Sequence, residues 1–373
     1  MNTQVEITAP GAMVTVQDLG RSGWRRFGVP PAGALDRGLL RIANRLAGNA
    51  DSAPALEFFL AGPSLLALDG PVQLAFAGDF SVTRVHAGER SVLASWRSVT
   101  LQPGDALQVG PLRSGRIGYI ALAGLVVAPV LGSASTYARA RLGGIDGRGL
   151  AAGDRLTVAL DQAEDGSGPA GSALTERGSG IGPTERVIGS APTERVLSTP
   201  PVAADGPIRV VVGPQDDHFD AAAMAIFFSA AYRLSRDADR MGLRLEGPAL
   251  QHRPDKGAEI VSDAVVPGSI QVPGNGQPIV LLADGQTAGG YPKIATVATA
   301  DLARLASAPV GTVLRFIAVS VAEAESLALA HEAALLRHLA AIAPLTLVDG
   351  IDLAALYDSN LVSAMIDALH PPD

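Results

Sequence analysis

The chain has 373 residues, of which 47% are hydrophobic and 18% charged, with a net charge of −8 and no cysteine. This length predicts a large core divided into more than one lobe, and the composition is typical of a soluble globular protein. The missing cysteines exclude disulfides, thiol catalysis and cysteine-ligated metals, and the acidic balance without a Lys/Arg run argues against a nucleic-acid partner.

The amino-terminal segment MNTQVEITAP has neither the basic patch nor the apolar run of a signal peptide. No uninterrupted apolar stretch approaches the roughly 20 residues that a membrane helix needs. We therefore expect a cytoplasmic protein without a membrane partner.

Residues 1–161 are predicted to form an amino-terminal β lobe that contains one clear helix. Asp36 suits the N-cap of this helix, and Gly48 suits its end. Short apolar segments follow with turn signals about every eight to twelve residues, which is typical of a β-barrel or sandwich. The candidate strands are residues 14–16, 56–60, 65–68, 72–77, 81–85 and 117–121.

Residues 162–207 consist mainly of Gly, Ser, Pro, Ala and Glu with few large apolar side chains. Such a composition cannot bury enough surface to offset the entropy of the chain, so we predict a disordered low-complexity linker.

Residues 208–320 are predicted to form a second β lobe, and residues 321–373 a helical tail. A helix is expected over residues 217–231, whose acidic start suits a helix N-terminus. The tail contains an Ala/Leu-rich helix at 323–342 and an apolar helical stripe within residues 353–369. The candidate strands of the second lobe are residues 209–212, 232–235, 241–245, 279–283, 294–297 and 313–319.

The passage from 267 to 297 combines two buried-strand patterns with glycine-rich turns and polar side chains. Gly289 and Gly290 let backbone approach a ligand closely, next to an aromatic ring and a cation. This combination favours a site for a small amide-bearing or phosphorylated molecule, although elaborate turns between two strands are the alternative. Its polar and aromatic members are Gln271, Gln277, Asp284, Gln286, Thr287, Tyr291 and Lys293.

Arg240 and Arg244 are placed on one face of an alternating strand, with Gly242 between them. Two arginines on one face suit bidentate binding of a carboxylate or phosphate. An ion-paired rim of a barrel is the alternative interpretation.

Two further polar segments accompany these arginines. Residues 215–218 lie at a strand-to-helix junction, where His218 is a candidate acid or base, or else a surface residue beside capping acids. Residues 17–21 and 33–36 form a glycine-rich cluster that either builds a site or joins the lobes, and in it Asp18 and Arg21 can simply pair. The acids beside His218 match no defined metal motif, so no metal site is predicted.

Five passages together resemble one known family. This family is variously described as the 5-oxoprolinase C-type subunit, allophanate-hydrolase subunit two or biotin-dependent carboxyltransferase-like. The resemblance implies a mainly β (α+β) fold with two cyclophilin-like β-barrel lobes, a few helices and a helical tail. The passages are PGAMVTVQDLGRSGW (10–24), GVPPAGALD (28–36), GPQDDHF (213–219), DRMGLRLEG (239–247) and the passage at 267–297.

The resemblance implies one component of an ATP-dependent 5-oxoprolinase complex, which hydrolyses the cyclic amide 5-oxoproline to glutamate. ATP with Mg would act at the level of the complex, and the partners would be an A-type hydrolase chain and a B-type (allophanate-hydrolase subunit one-like) chain. Carried to matching positions, anionic groups would be held by Arg240, Arg244 and Lys293. The amide would be oriented by Gln271, Gln286, Thr287, Gly290 and Tyr291, and protons moved by Asp284 or His218.

Two alternatives remain open. The chain would be the carboxyltransferase component of a biotin-dependent urea or amide carboxylase, with biotin on another chain because no A-M-K-M-like tetrapeptide is present. Alternatively, it would be a regulatory protein that binds a B-type partner tightly without turnover.

Overall fold

The computed structural model describes residues 2–160, 193–202 and 204–345, together with the backbone of two short strands between 347 and 352. The apolar segment at 353–369 and residues 162–192 of the predicted linker lie outside the described residues.

The first lobe consists of two antiparallel sheets. The strand order is β11-β1-β4-β9-β6-β7 in one sheet and β2-β3-β10-β5-β8 in the other. One helix, α1 (Arg37–Ala47), and 3-10 turns at Arg25–Phe27 and Ala138–Ala140 complete it. The strands are β1 (Asn2–Ala9), β2 (Met13–Gln17), β3 (Ala55–Phe59), β4 (Ser64–Ala67), β5 (Val72–Ala77), β6 (Phe80–His86), β7 (Glu89–Ala94), β8 (Ser98–Leu101), β9 (Ala106–Leu112), β10 (Ile117–Leu122) and β11 (Arg155–Ala159).

Strands β5 and β10 are buried along their whole length because both faces of their sheet are covered. Side chains on one face, such as Phe76 and Ile120, join the core between the two sheets. Those on the other face, such as Ala77 and Tyr119, pack in the second core together with α1 and the second lobe. This double coverage explains why the two strands read as apolar runs.

Helix α1 begins and ends where the sequence predicted. The Asp36 carboxylate accepts a hydrogen bond from the backbone N–H of Leu39 at 2.9 Å, and Gly48 adopts φ 81°, a conformation that favours glycine. The buried face of the helix, which includes Leu40 and Leu46, lies against the second sheet of the first lobe and the core of the second lobe. The helix therefore forms the layer between the lobes.

The second lobe is built on one eight-stranded sheet with the order β21-β14-β15-β18-β17-β20-β13-β22. The two edge strands are consecutive in the chain and only Arg315 separates them, so the sheet curls into a nearly closed barrel. The strands are β13 (Ile208–Val212), β14 (Tyr232–Ala238), β15 (Gly242–Glu246), β17 (Ser269–Gln271), β18 (Ile279–Leu281), β20 (Lys293–Val297), β21 (Val313–Leu314) and β22 (Phe316–Ala318).

Smaller elements surround this barrel. The helices are α2 (Ala221–Ser229), α3 (Thr299–Ser307) and α4 (Val321–Ala340), with a 3-10 turn at Asp216–His218. The remaining strands form two-stranded ribbons: β12 (Arg195–Val196) with β23 (Ala343–Pro344), β16 (Asp263–Ala264) with β19 (Ala288–Gly289), and β24 (Leu347–Val348) with β25 (Ile351–Asp352). No helix among the described residues is long and apolar enough to cross a membrane.

Two sequence predictions need correction. The helix expected from residue 217 begins at Ala221, because Asp216–His218 form a 3-10 turn and the Asp220 side chain caps the helix through Ala223 N at 2.8 Å. Residues 195–197, within the segment predicted as a disordered linker, are packed: β12 pairs with β23, and Leu197 is buried. The mainly β fold with a few helices is confirmed.

Candidate functional site

Arg240 lies at the junction of the two lobes, just before β15, with its side chain 4% exposed. Its Nε and Nη2 donate to the two carboxylate oxygens of Asp284 at 3.0 and 2.9 Å. Its Nη1 pairs with the carboxylate of Glu57 on β3, and Nη2 also donates to the Gly33 carbonyl oxygen at 2.7 Å. One side chain thus joins both lobes and the loop ahead of α1.

Glu57 collects further donors from the first lobe. The Tyr119 hydroxyl on β10 donates to its carboxylate, and Leu35 N donates to the same oxygen at 2.9 Å. The Tyr119 hydroxyl in turn accepts from Asp36 N at 3.0 Å. We call Arg240, Glu57, Asp284 and Tyr119 the junction cluster.

Burial shapes the protonation of this cluster. Burial lowers the pKa of Arg240, but Glu57 and Asp284 outweigh it, so the pKa is raised and the guanidinium stays charged. Burial raises the pKa of Asp284, and Arg240 offsets only part of this change. Burial, followed by the charge of Glu57, raises the pKa of Tyr119 well above its ordinary value, so its hydroxyl remains a donor.

Asp18 and Arg21 lie beside the junction but do not pair as the sequence suggested. Arg21 is 1% exposed and donates from Nη2 to the Ser135 carbonyl at 2.5 Å; across the described ranges it forms no ion pair. Its Nε and Nη1 have no hydrogen-bond partner there. The Asp18 carboxylate is used instead by Gly20 N, Ser133 Oγ, Ala134 N and Ser135 Oγ, at 2.5 to 2.7 Å.

Lys293 is another buried cation, at the start of β20, with its side chain 3% exposed. Its Nζ donates to Asp263 Oδ2 at 2.6 Å and to the Ala264 carbonyl at 2.7 Å. Gln215 bridges the two residues of this pair. Its Nε2 donates to Asp263 Oδ2 at 3.1 Å, and its Oε1 accepts from Lys293 N at 3.1 Å. The hydrogen bond from Lys293 lowers the pKa of Asp263, which is 50% exposed, and keeps it ionised.

Gln271 lies next to this pair, buried on β17. The Gln286 amide donates to Gln271 Oε1 at 3.1 Å, and Gln271 Nε2 donates to the Tyr291 carbonyl at 3.3 Å. Gln286 and Tyr291 are exposed, the latter to 41%. We call Lys293, Asp263, Gln215, Gln271, Gln286 and Tyr291 the signature cluster. Its exposed members, Gln286 and Tyr291, suit a polar, uncharged ligand.

The other candidates lie apart or contribute backbone. Arg244 is exposed on β15 while Arg240 is buried before the strand, so the expectation that they share one face is wrong. Half-buried His218 meets the Gly257 carbonyl at 3.0 Å. Thr287 and Gly290 hold the neighbouring segment through their carbonyls, which accept from Val265 N at 3.1 Å and Ile260 N at 2.9 Å.

Three residues of these clusters were not predicted from the sequence: Glu57, Tyr119 and Asp263. Glu57 is a lone carboxylate inside the buried strand ALEFF, and such a residue needs a cation partner; that signal was available. Asp263 lies in a strand of only two residues, paired with β19, which is too short to show an alternating pattern in the sequence.

A groove of about 330 Å³ lies between α4 and strands β13 and β20, and it contains none of the predicted site residues. Among the described side chains, no three His, Asp or Glu residues cluster closely enough to hold a metal ion. The junction and signature clusters therefore remain the candidates for the site.

A sequence model of the carboxyltransferase domain, subdomains A and B, matches residues 27–318. The C-type subunit of 5-oxoprolinase from Escherichia coli K12 is 36% identical over 322 residues, covering 86% of this chain and 93% of that protein. The protein of the same name from Haemophilus influenzae is 34% identical, covering 87% and 94%. The solved urea amidolyase of Kluyveromyces lactis superposes with a TM-score of 0.75 at 29% identity, over 90% of this chain but only 20% of that one.

Proposed function

Because the chain belongs to the carboxyltransferase-domain family with subdomains A and B, we propose that it is the C-type subunit of a 5-oxoprolinase. The complex opens the lactam of 5-oxoproline to glutamate with ATP, together with A-type and B-type partner chains. Water adds to the lactam carbonyl carbon, the ring C–N bond breaks, and the ring nitrogen takes up a proton.

The observation that carries this proposal is the coverage of the relatives. This chain spans 93% and 94% of the two bacterial proteins but only 20% of the fungal urea amidolyase structure. It therefore matches nearly the whole length of the two bacterial subunits, whereas the fungal enzyme contains a comparable unit inside a longer chain. The described residues form no complete catalytic set, which fits a site that partner chains complete.

The signature cluster is the part of this chain that we assign to the lactam. The Gln286 amide and the Tyr291 phenol are exposed and present donors to an amide oxygen, and an acceptor for its N–H. Lys293 acts through Asp263 as a positioning residue, because its charge is already paired. His218 is the candidate for proton exchange with the substrate.

The buried cations predicted from the sequence do not suit ATP. Arg240 and Lys293 are each neutralised by carboxylates, so neither is available for a triphosphate. The sequence also lacks a G-x-x-x-x-G-K-[ST] phosphate loop. We therefore assign the nucleotide and its Mg to a partner chain.

The test is co-expression with the A-type and B-type chains, followed by measurement of ADP with and without 5-oxoproline. We expect ADP release that depends on 5-oxoproline and matches the glutamate formed. A stable complex that releases no ADP in the presence of 5-oxoproline would contradict the proposal and support a regulatory role.

Carboxyl transfer from biotin to urea or another amide is a second candidate, supported by the likeness of this fold to the K. lactis urea carboxylase structure. That structure superposes with a TM-score of 0.75 over 93% of this chain, which spans 30% of it. Biotin would arrive on another chain. Carboxylation of urea by the complex when supplied with a biotinylated carrier and bicarbonate, without glutamate formation from 5-oxoproline, would favour this function.

A further inference from the structure

Arg21 is a buried cation with unused hydrogen-bonding capacity. The side chain is 1% exposed, and its single hydrogen bond uses Nη2 and the Ser135 carbonyl. Nε and Nη1 have no partner in the part of the chain that the structure describes. An arginine stays protonated in proteins, so these positions keep their demand for an acceptor.

Leaving such donors unsatisfied in the interior is costly, and an uncompensated buried charge is more costly still. Burial lowers the pKa of Arg21, and the charges of Asp18 and Asp284 offset this only from a distance. Neither carboxylate can move to it freely, since Asp18 accepts four hydrogen bonds elsewhere and Asp284 is held by Arg240. The described residues therefore supply no partner for these donors, which leaves them available to a ligand.

We call the buried polar groups around Arg21, from residues 17–21 and 135–136, the polar enclosure. Two further buried oxygens lack partners among the described residues, Gln17 Oε1 and Thr136 Oγ1, and Gln17 is joined to Thr136 through Nε2 and the backbone carbonyl at 3.1 Å. Gly143 closes this enclosure: a Cβ there would lie 2.1 Å from the Ser135 carbonyl oxygen and 2.9 Å from Arg21 Nη2. Arg21, Gln17 and Thr136 therefore each have buried polar atoms without a partner among the described residues, in the segments joined by the hydrogen bond from Arg21 to Ser135.

The location of this enclosure connects it to the passage at 267–297. Arg21 N donates to the Pro31 carbonyl at 2.8 Å, and Ala32 N, the next residue, donates to the Ala283 carbonyl at 3.0 Å. Ala283 precedes Asp284, which acts electrostatically on Arg21. A ligand held at Arg21 would therefore extend towards residues 284–286, where Gln286 is exposed.

The chemistry of the enclosure selects a carboxylate. The planar guanidinium matches a carboxylate in shape and charge. The two aspartates that act on Arg21 would repel a phosphate dianion more strongly than a monoanion. We propose that Arg21 binds the carboxylate of the substrate, so that it selects 5-oxoproline over a lactam without this group; this assignment rests on the proposed function.

Ser135 and Gly143 lie against the guanidinium and belong to the segment 135–144. The outer part of this segment, the turn Ala138–Ala140, is exposed. It is joined to the second lobe by a weak contact from Arg139 Nη1 to Met241 Sδ at 3.7 Å.

The first test compares the complexes that contain wild-type chain, Arg21→Lys and Arg25→Lys. The Arg21→Lys variant keeps the charge but loses the planar donor group, and Arg25, in the 3-10 turn nearby, provides the matched control. We expect Arg21→Lys to raise KM for 5-oxoproline about tenfold or more, with a smaller change in kcat, and Arg25→Lys to change neither. An unchanged KM in Arg21→Lys, with active wild-type complex, would overturn the assignment and leave the proposed function standing.

The second test uses the full wild-type chain labelled with 15N and does not depend on turnover. Formate, the smallest carboxylate, should shift the Nε–H resonance that Arg21→Lys removes, and formamide should not. No response to formate would overturn the site. A response to formate together with a wild-type complex that never converts 5-oxoproline would keep the carboxylate site, and would reject both the substrate assignment and the proposed function.

Discussion

The junction cluster and the signature cluster each contain a buried cation and a carboxylate, but they differ in exposure. In the junction cluster every charge faces another charge, with Glu57 0% and the Arg240 side chain 4% exposed. In the signature cluster Lys293 is equally buried, while its partner Asp263 is 50% exposed and Tyr291 41% exposed. A closed network of this kind holds lobes together, whereas an open one can exchange partners with a ligand.

The largest expected effect is the loss of Arg240. Arg240→Met leaves Glu57 and Asp284 buried without a cation, which costs about 3–5 kcal/mol of unfolding free energy. Urea unfolding monitored by circular dichroism measures this change. The matched control is Arg244→Met, at an exposed position of β15, whose unfolding free energy should stay within about 0.5 kcal/mol of wild type. Equal stability of the two variants would contradict the role of Arg240 in joining the lobes.

Lys293→Met should cost less than Arg240→Met, about 1–2 kcal/mol, because half-exposed Asp263 regains water when its partner is lost. Its activity in the complex should nevertheless fall by roughly tenfold or more, since the loop that carries Asp263 loses its anchor. Unfolding and ADP-release assays on the same preparations separate the two effects. A stability loss as large as that of Arg240→Met would show that the signature cluster is a structural network too.

The pH dependence of the unfolding free energy in the acid range tests the ion pair of Lys293 with Asp263. The pKa of Asp263 is lowered from its ordinary value of 3.8, so the pair with Lys293 contributes stability above that value and loses it as the pH falls through the lowered pKa. The difference in unfolding free energy between wild type and Lys293→Met should therefore shrink below pH 3.8. A difference that is constant from neutral pH into the acid range would refute this linkage.

Tyr291→Phe should have the smallest effect on stability, within about 0.5 kcal/mol, because the ring is 41% exposed. We expect kcat/KM for 5-oxoproline to fall about tenfold, as one hydrogen bond to the substrate is lost. Full activity of this variant would remove the phenol from the lactam site.

Much of the fold was predictable from local patterns. The strand Val72–Ala77 and the helix between Asp36 and Gly48 follow from apolar periodicity and caps that lie within the segments themselves. Long-range pairing was not predictable: β12 is ordered by β23, almost 150 residues later in the chain (195 to 343). A segment whose composition is typical of a linker is therefore ordered by a strand that only the folded structure brings next to it.

The sites show the same limit. The passage at 267–297 was predicted to form a site because its glycines and amides are unusual for core strands. The structure brings its residues Gln271, Gln286 and Lys293 close together. The expectation that Arg240 and Arg244 share one face was wrong because alternation was assumed before the strand begins at Gly242. Whether a cation is free or paired depends on side chains from other elements, so the sequence could not distinguish Arg21 from Arg240.

The most direct test of the central claim is an omission and add-back assay. The A-type and B-type chains are purified without this protein, and glutamate formed from 5-oxoproline with ATP is measured before and after the purified chain is added. We predict no glutamate before addition and production that saturates at a fixed molar ratio afterwards. Equal glutamate formation with and without the chain would contradict its assignment as a component of the enzyme.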